Sequence, residues 1–169
     1  MNLTILTNEI QKIPQHLIDK LKEEVVSADK IILLGNGGSN VIASHIAIDY
    51  QKFFHKTAVS INDAGLMSML VNDYGYENMY SSFLDIHKSK NTLVILISSS
   101  GSSLNIINAL KYATQCSEFK IVSLSGFGLD NMLYTESKKI DNVVINYHVD
   151  SKSYGEVESV HQIFLHSII

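Results

Sequence analysis

Five short apolar runs, separated by longer amphipathic stretches, constrain the fold of this 169-residue chain more than any other feature. The runs are rich in Val, Ile and Leu at successive positions, which is typical of strands covered on both faces. They are Lys30–Gly35, Ala58–Asn62, Thr92–Ser98, Lys120–Ser125 and Asn142–Tyr147. Strands that alternate with helices predict right-handed βαβ units, and therefore an α/β fold with a parallel sheet and helices on both faces. We expect the strand order 2-1-3-4-5.

The stretches around these runs carry helical patterns of apolar residues. We expect helices over His16–Ala28, Asn40–Phe54, Ala64–Leu70, Asn78–His87 and Leu104–Thr114, a short one near Asp130–Tyr134, and a last one from about Tyr154 to the end. The final segment, Val160–Ile169, is apolar over much of the helix circumference, which indicates burial. We expect it to pack in the core of an oligomer, since an exposed apolar tail would aggregate.

Composition narrows the class of protein. The length fits a single domain over residues 1–169. A net charge of −4 and a pI of about 5.9 argue against nucleic-acid binding, because such domains usually carry a basic patch. The only cysteine, Cys116, excludes an internal disulfide and fits a reducing compartment. With no apolar run of membrane-spanning length and no signal peptide, we expect a cytoplasmic protein without a membrane partner.

Two loops rich in glycine and serine follow two of the predicted strands. The first strand ends in Gly35–Ser39 (GNGGS), and the third ends in Ser98–Ser103 (SSSGSS). Each loop leads directly into a predicted helix, whose first N–H groups and partial positive charge attract anions. Glycine lets the backbone approach a ligand, and serine adds hydroxyl donors. Because ligands of doubly wound sheets bind beyond the carboxyl ends of the strands, the two loops predict a phosphate site that needs no Lys or Arg.

Neither loop is one of the widespread nucleotide-binding motifs. The P-loop pattern GxxxxGK[ST] is absent, and the segment from Gly35 to Asn40 lacks the third glycine of the dinucleotide fingerprint. The alternative for either loop alone is an ordinary turn with a helix N-cap, since Ser, Gly and Asn favour both. Two such loops at neighbouring strand ends favour a ligand site.

Four segments resemble the phosphoheptose isomerases (sedoheptulose-7-phosphate isomerases) of the SIS, or sugar isomerase, family. The segment GNGGSNVIASHIAIDY resembles the first motif of that family, and ISSSGSSLNII resembles its phosphate loop. VNDYGYENMYS is similar to its Asn-Asp segment, and GEVESVHQIFLH resembles its last helix. The segments occur in the family's order and spacing, from about Lys30 to the end of the chain.

The resemblance implies a flavodoxin-like SIS fold with a five-stranded parallel sheet, a homotetramer with active sites near subunit interfaces, and a sugar-phosphate substrate. The family converts sedoheptulose 7-phosphate to D-glycero-D-manno-heptose 7-phosphate for lipopolysaccharide or capsule sugars. By resemblance, the catalytic residues are Asp49, His166 and Asp73, and the ligands of a zinc ion are His45, Asp49, Glu158 and His166. The implied substrate-binding residues, with Asn36 and Ser39 facing the sugar, are Asn36, Gly37, Gly38, Ser39, Ser98, Ser99, Ser100, Ser103 and Glu158.

The residue types also fit this chemistry on their own. An aldose–ketose isomerisation needs a base near a carbon, an acid near the carbonyl oxygen and an anchor for the phosphate, and a carboxylate and an imidazole can act as base and acid. His45 and Asp49 are four residues apart and share a helix face, and Glu158 and His166, eight apart, fall on one side of the last helix. Two histidines and two carboxylates suit zinc, and a hydrogen-bonded polar cluster without metal is the alternative.

Two departures from the family pattern leave a second function open. The chain has Asp49 where the family has Glu, and Glu158 where the family has Gln. A non-catalytic SIS module that binds a sugar phosphate, or a protein partner such as the replication initiator, is therefore the alternative. That branch lacks the acidic residue of the first motif's helix and the final histidine. This chain has Asp49 and His166, which favours the enzyme.

Overall fold

The computed structural model describes residues 1–169 and contains one five-stranded, all-parallel sheet. Its strands are β1 (Lys30–Gly35), β2 (Thr57–Val59), β3 (Thr92–Ser98), β4 (Phe119–Ser125) and β5 (Val143–His148). Their order across the sheet is β2-β1-β3-β4-β5, with one register shift in the β4–β5 pair. The predicted fold class, strand order and all five strands are confirmed, and strand ends differ from the prediction by at most three residues.

Eight helices surround the sheet. They are α1 (Leu3–Gln11), α2 (Gln15–Ser27), α3 (Gly38–Phe54), α4 (Ala64–Tyr74), α5 (Met79–His87), α6 (Leu104–Thr114), α7 (Met132–Ser137) and α8 (Tyr154–His166). Seven of them correspond to predicted helices, and α1 is the addition. The side chain of Asn2 caps α1 by accepting hydrogen bonds from the N–H groups of Thr4 and Ile5. None of the eight combines the length and apolar character that crossing a membrane requires.

The alternation of side chains along the strands divides the core into two apolar clusters, one on each face of the sheet. Ile31 and Leu33 of β1 pack with residues of α2, α3 and α8 on one face. Ile32 and Leu34 pack with residues of α4, α5, α6 and α7 on the other. The strands are apolar at successive positions because both faces are covered, as the sequence predicts.

The last helix, α8, packs against the core of its own chain. Val160, Phe164, Leu165 and Ile168 are buried in the core beside α3, and the hydroxyl of Tyr50 donates a buried hydrogen bond of 2.9 Å to the carbonyl of Leu165. The burial that the sequence indicates for this segment is thus largely met within its own chain, while Ile163 and Ile169 remain exposed, and packing in an oligomer core stays a prediction. The homotetramer itself stays a prediction.

Candidate functional site

A cavity of about 260 Å³ opens at the carboxyl ends of β1 and β3. These strands are neighbours at the point where the strand order reverses, so the loops that follow them lie side by side. All eight loop residues predicted to bind substrate line the cavity: Asn36, Gly37, Gly38, Ser39, Ser98, Ser99, Ser100 and Ser103. Glu158 lines it as well, as predicted, together with Ile97 and Tyr154, which the sequence analysis missed. Tyr154 is the first residue of α8, the helix that follows β5. Its place just after the carboxyl end of a strand was the sequence feature that could have predicted it as a cavity residue.

Free hydrogen-bond donors converge on this cavity. Helix α3 begins at Gly38 after the N-cap Gly37, which has no side chain, and helix α6 begins at Leu104, where the side chain of the N-cap Ser103 bonds no first-turn N–H group. The hydroxyl of Ser99 is buried and has no hydrogen-bond partner, although the residue is only 4% exposed. An unsatisfied buried hydroxyl costs about 1–3 kcal/mol, and a rotation of this side chain towards the cavity would let an anionic oxygen accept from it. Both helix ends and the serine hydroxyl therefore suit an anion.

Two glycines shape these loops through backbone angles that other residues rarely adopt. Gly37 has φ 53° and Gly101 has φ 64°. The N–H of Gly101 donates to the carbonyl of Ser98 at 3.0 Å, which closes the serine loop on itself. Gly38 allows a close approach instead, since a Cβ there would lie 2.6–2.7 Å from the carboxyl atoms of Glu158. The glycines thus bring the first loop, the serine loop and α8 around one small space.

The cavity contains no basic side chain. All 13 basic residues of the chain are lysines, and none of them lines the cavity. Its one ionisable acid is Glu158, and burial raises the pKa of that carboxyl above its ordinary value. An anion in this cavity would therefore be bound by N–H groups and hydroxyls. The negative charge of Glu158, when this carboxyl is ionised, would oppose that binding.

A second group of polar side chains brings α3 and α8 together. His45, Asp49 and His166 each offer a ligand atom, and these atoms lie within 4.8 Å of one another. The Oδ2 atom of Asp49 is 3.0 Å from Nε2 of His166 and 3.4 Å from Nε2 of His45. The two imidazole rings meet edge to face, with centroids 5.0 Å apart. The structure thus assembles three of the four residues predicted to bind metal.

The hydrogen bonds of His166 restrict its protonation. Its Nδ1 atom lies 3.1 Å from the carbonyl oxygen of Gln162, which can only accept, so Nδ1 carries a proton. Its Nε2 atom faces the carboxylate of Asp49, which also accepts when ionised. The contact is favourable if the imidazole carries a second proton, or if a cation lies between the two groups. This arrangement suits both proton transfer and metal binding, since metal-binding histidines usually donate their other N–H to a carbonyl or carboxylate.

Two predicted site residues lie away from this group. Glu158 precedes His166 by eight residues on α8, which places it about 12 Å away along the helix axis, beside Gly38. The structure groups three of the four predicted ligands, and a metal-binding role for Glu158 stays a prediction. Asp73 is exposed on α4, accepts a hydrogen bond from the side chain of Asn72 at 2.7 Å, and lines neither the cavity nor the metal group.

His161, which lies on α8 between Glu158 and His166, connects this helix to the sheet. It is fully buried, and its Nε2 atom lies 3.0 Å from the carbonyl oxygen of Ser125 at the end of β4. Burial lowers the pKa of the imidazole to about 4, so the ring is neutral and donates its Nε2–H to that carbonyl. This bond fixes α8 against the sheet.

Comparison with known proteins agrees with the fold and with the motifs. Residues 3–126 match the SIS domain family. The phosphoheptose isomerase of Cytophaga hutchinsonii is 32% identical over 98% of this chain and 88% of its own length. Among solved structures, the phosphoheptose isomerases of Neisseria gonorrhoeae and Francisella tularensis superpose with TM-scores of 0.82 and 0.81 at 23% and 21% identity, each over 96% of this chain and 88% of the other. These matches confirm the predicted family and enzyme class: the chain belongs to the phosphoheptose isomerases of the SIS-domain family and is a sugar-phosphate isomerase.

Proposed function

We propose that the protein converts sedoheptulose 7-phosphate to D-glycero-D-manno-heptose 7-phosphate, for the synthesis of lipopolysaccharide or capsule heptose. The observation that carries this proposal is the pairing of an anion-binding cavity with the Asp49–His166 contact of 3.0 Å. The cavity would hold the phosphate at Ser98, Ser99, Ser100 and Ser103. The relatives named phosphoheptose isomerase support this substrate.

In the proposed mechanism Asp49 and His166 carry the two proton transfers. An ionised carboxylate accepts protons only, so Asp49 takes the proton from the carbon next to the carbonyl. His166, whose Nδ1 proton is held by the carbonyl of Gln162, donates from Nε2 only when the ring is doubly protonated, and in that form it gives a proton to the carbonyl oxygen. The enediol that results returns to an aldose when the same two groups act in reverse on the neighbouring carbon and oxygen. Helices carry both groups, which limits their movement during the reaction.

A zinc ion fits the three residues His45, Asp49 and His166. Two nitrogens and one carboxylate oxygen are ligands that zinc accepts, and three protein ligands leave a position open for substrate. The backbone bond from Nδ1 of His166 would hold its ring in the ligating orientation. Zinc would occupy Nε2 of His166, so when bound it would polarise the substrate carbonyl as a Lewis acid in place of the proton from that nitrogen. Elemental analysis of protein purified without chelator tests this, and absence of bound metal would leave the three residues as a polar cluster.

We also propose that residues 1–169 form one SIS domain that assembles as a homotetramer in the cytoplasm. Support comes from the outer face of α3, where Val41 is 69% exposed, Ile48 60% and His45 52% at the side chain. An apolar stripe beside a half-exposed candidate ligand suits a subunit interface near the active site. In that tetramer, Asp73 would act at an active site to which a second subunit contributes. A monomer in light scattering at micromolar concentration would contradict the tetramer.

The alternative is a non-catalytic SIS module that binds a sugar phosphate or the replication initiator. The contact between Asp49 and His166 favours the enzyme, because binding alone does not need an acid–base pair. The deciding experiment incubates pure protein with sedoheptulose 7-phosphate and follows formation of the aldose. We expect turnover in the wild type, a loss of at least a hundredfold in His166→Ala, and no loss in His16→Ala on α2. A wild type that binds the sugar phosphate without turnover would establish the alternative.

A further inference from the structure

Two asparagine side chains join the first loop to the helix that follows the serine loop. Nδ2 of Asn36 donates to Oδ1 of Asn105 at 2.8 Å, and Nδ2 of Asn105 donates to Oδ1 of Asn36 at 3.0 Å. The residues are 69 positions apart, and each amide is both donor and acceptor to the other. This reciprocal pair fixes the distance and the relative orientation of the two segments that form the cavity.

The surroundings of the pair make it rigid. Asn105 is 1% exposed, and its Oδ1 also accepts from the N–H of Ile106 in the first turn of α6. Tyr80, also 1% exposed, places its hydroxyl 3.1 Å from Oδ1 of Asn36 and against the carbonyl of Gly35, and its single proton is shared by these two acceptors. The hydroxyl of Tyr76 reaches the same Oδ1 at 3.2 Å. The amide of Asn36 is therefore occupied by protein groups, although the residue lines the cavity.

We propose that Asn105, supported by Tyr80, is a positioning residue for the isomerase, holding the first loop in the geometry that orients the sugar. The inference rests on the proposed function, because it assigns the serine loop to the phosphate and the first loop to the sugar. Without the amide of Asn105, Asn36 loses both bonds of the pair, and the loop is free to move by fractions of an ångström. Because α3 begins in this loop, such a movement misplaces the substrate relative to Asp49.

The test compares Asn105→Ala with a matched control on the same helix. Asn108→Ala removes an amide that donates to the carbonyl of Glu77 at 3.0 Å, outside the cavity. For Asn105→Ala we expect kcat per folded molecule to fall by roughly 10–100-fold, because a small misplacement of the substrate has effects of this size. Affinity for inorganic phosphate should stay within about threefold, and Asn108→Ala should match the wild type in both. A purely structural role would lower the unfolding temperature and leave kcat per folded molecule unchanged.

Should Asn105→Ala fail to fold, Tyr80→Phe removes one hydroxyl from the same network. Its control is Tyr112→Phe, which loses a hydroxyl bond of 2.6 Å to Asp85 on the far side of α6. We expect a smaller loss of kcat, of about 3–10-fold, in Tyr80→Phe alone. Equal kcat in both tyrosine variants would overturn the proposal.

Hydrogen exchange separates this proposal from the proposed function, since it needs no substrate. We expect the amides of Gly35–Ser39 to exchange at least tenfold faster in Asn105→Ala than in the wild type, and at the wild-type rate in Asn108→Ala. Faster exchange with no turnover of any ketose phosphate in the wild type would retain the positioning role and reject the isomerase. Unchanged exchange would reject the positioning role whatever the wild type catalyses.

Discussion

Replacing Glu158 by glutamine should strengthen the binding of phosphate. The carboxyl group lines the cavity of about 260 Å³ together with Ser98–Ser103, and no basic side chain lies there to offset its charge. A sphere of that volume is about 8 Å across, so a phosphate held by the serines lies within about that distance of the carboxylate. Glutamine keeps the shape of the side chain and can donate and accept hydrogen bonds, so the substitution removes charge with little change in packing.

The size of the effect follows from Coulomb's law. At about 8 Å and an effective dielectric constant of roughly 40–80, two unit charges repel by about 0.5–1 kcal/mol. A phosphate dianion doubles this to about 1–2 kcal/mol, which corresponds to roughly 5–30-fold in affinity. The gain should appear only where Glu158 is ionised. Because burial raises the pKa of this carboxyl, the neutral form persists to a higher pH than for an exposed glutamate, and wild-type affinity should fall as the pH rises through that raised pKa.

Calorimetric titration with inorganic phosphate between pH 5 and 8 measures both effects. The ratio of the Glu158→Gln affinity to the wild-type affinity should rise as the pH rises through the raised pKa of Glu158, because only the ionised carboxylate repels the anion. Taking this ratio removes the pH dependence of phosphate binding that both proteins share, while the change from monoanion to dianion, which doubles the repulsion, raises the ratio further towards the alkaline end. Glu23→Gln on α2, outside the cavity, is the matched control and should bind as the wild type does. A ratio that stays at or below one at every pH would refute the electrostatic argument.

Three further predictions concern the same loops and the length of the substrate. Ser99→Ala should weaken phosphate binding by about 1–3 kcal/mol in calorimetry. The free energy of unfolding should stay unchanged or rise, because the hydroxyl that is lost has no hydrogen-bond partner in the free protein. Wild-type affinity in this variant would show that phosphate does not use the hydroxyl. Gly101→Ala should lower the free energy of unfolding, measured by urea denaturation, by roughly 2–6 kcal/mol. The φ of 64° at this position is strained for an L residue, and the new Cβ would overlap the buried side chain of Asn131. A loss under about 1 kcal/mol would contradict this reasoning. Among ketose phosphates of five, six and seven carbons, kcat/KM should be greatest for seven, and equal values would argue against a substrate that spans both parts of the site.

Local sequence patterns were sufficient for the fold and for the loops of the cavity, because both depend on short segments. The five apolar runs identify strands covered on two faces, and the loops follow directly from where strands end and helices begin. The helical periodicity of the sequence shows which residues share a face of a helix, but it does not show which of them lie close together along the helix axis. Glu158 and His166 do fall on one side of α8, as predicted, but two turns separate their backbone positions, and the carboxyl group of Glu158 lies beside Gly38.

Partners far apart in sequence could not be predicted from local pattern. The pair of Asn36 and Asn105, and the contact of Tyr80 with the first loop, depend on how β1, β3 and α5 pack together. A buried asparagine in the first turn of a helix also has an ordinary explanation, since it can bond a free N–H there, as Asn105 does with Ile106. Helix α1 was missed because it is short and partly apolar on its exposed side, where Leu3 is 69% exposed.

The packing of α3 against α8 relates the two parts of the site to the length of the substrate. The helices run in the same direction, since Gly38 lies beside Glu158 near their starts and Asp49 contacts His166 near their ends. Glu158, beside the cavity, and His166, in the acid–base pair, are therefore about 12 Å apart along the axis of α8, measured between their backbone positions. An extended seven-carbon sugar has eight bonds between its first carbon and its phosphorus, and at about 1.2 Å of advance per bond it spans roughly 10 Å. A five-carbon ketose phosphate is about 2.4 Å shorter, which exceeds the misplacement that costs about a hundredfold in rate. With the phosphate in the serine loop, the longer chain of a heptulose brings its carbonyl nearer to Asp49 and His166 than that of a shorter sugar, which is one reason why we propose a seven-carbon substrate.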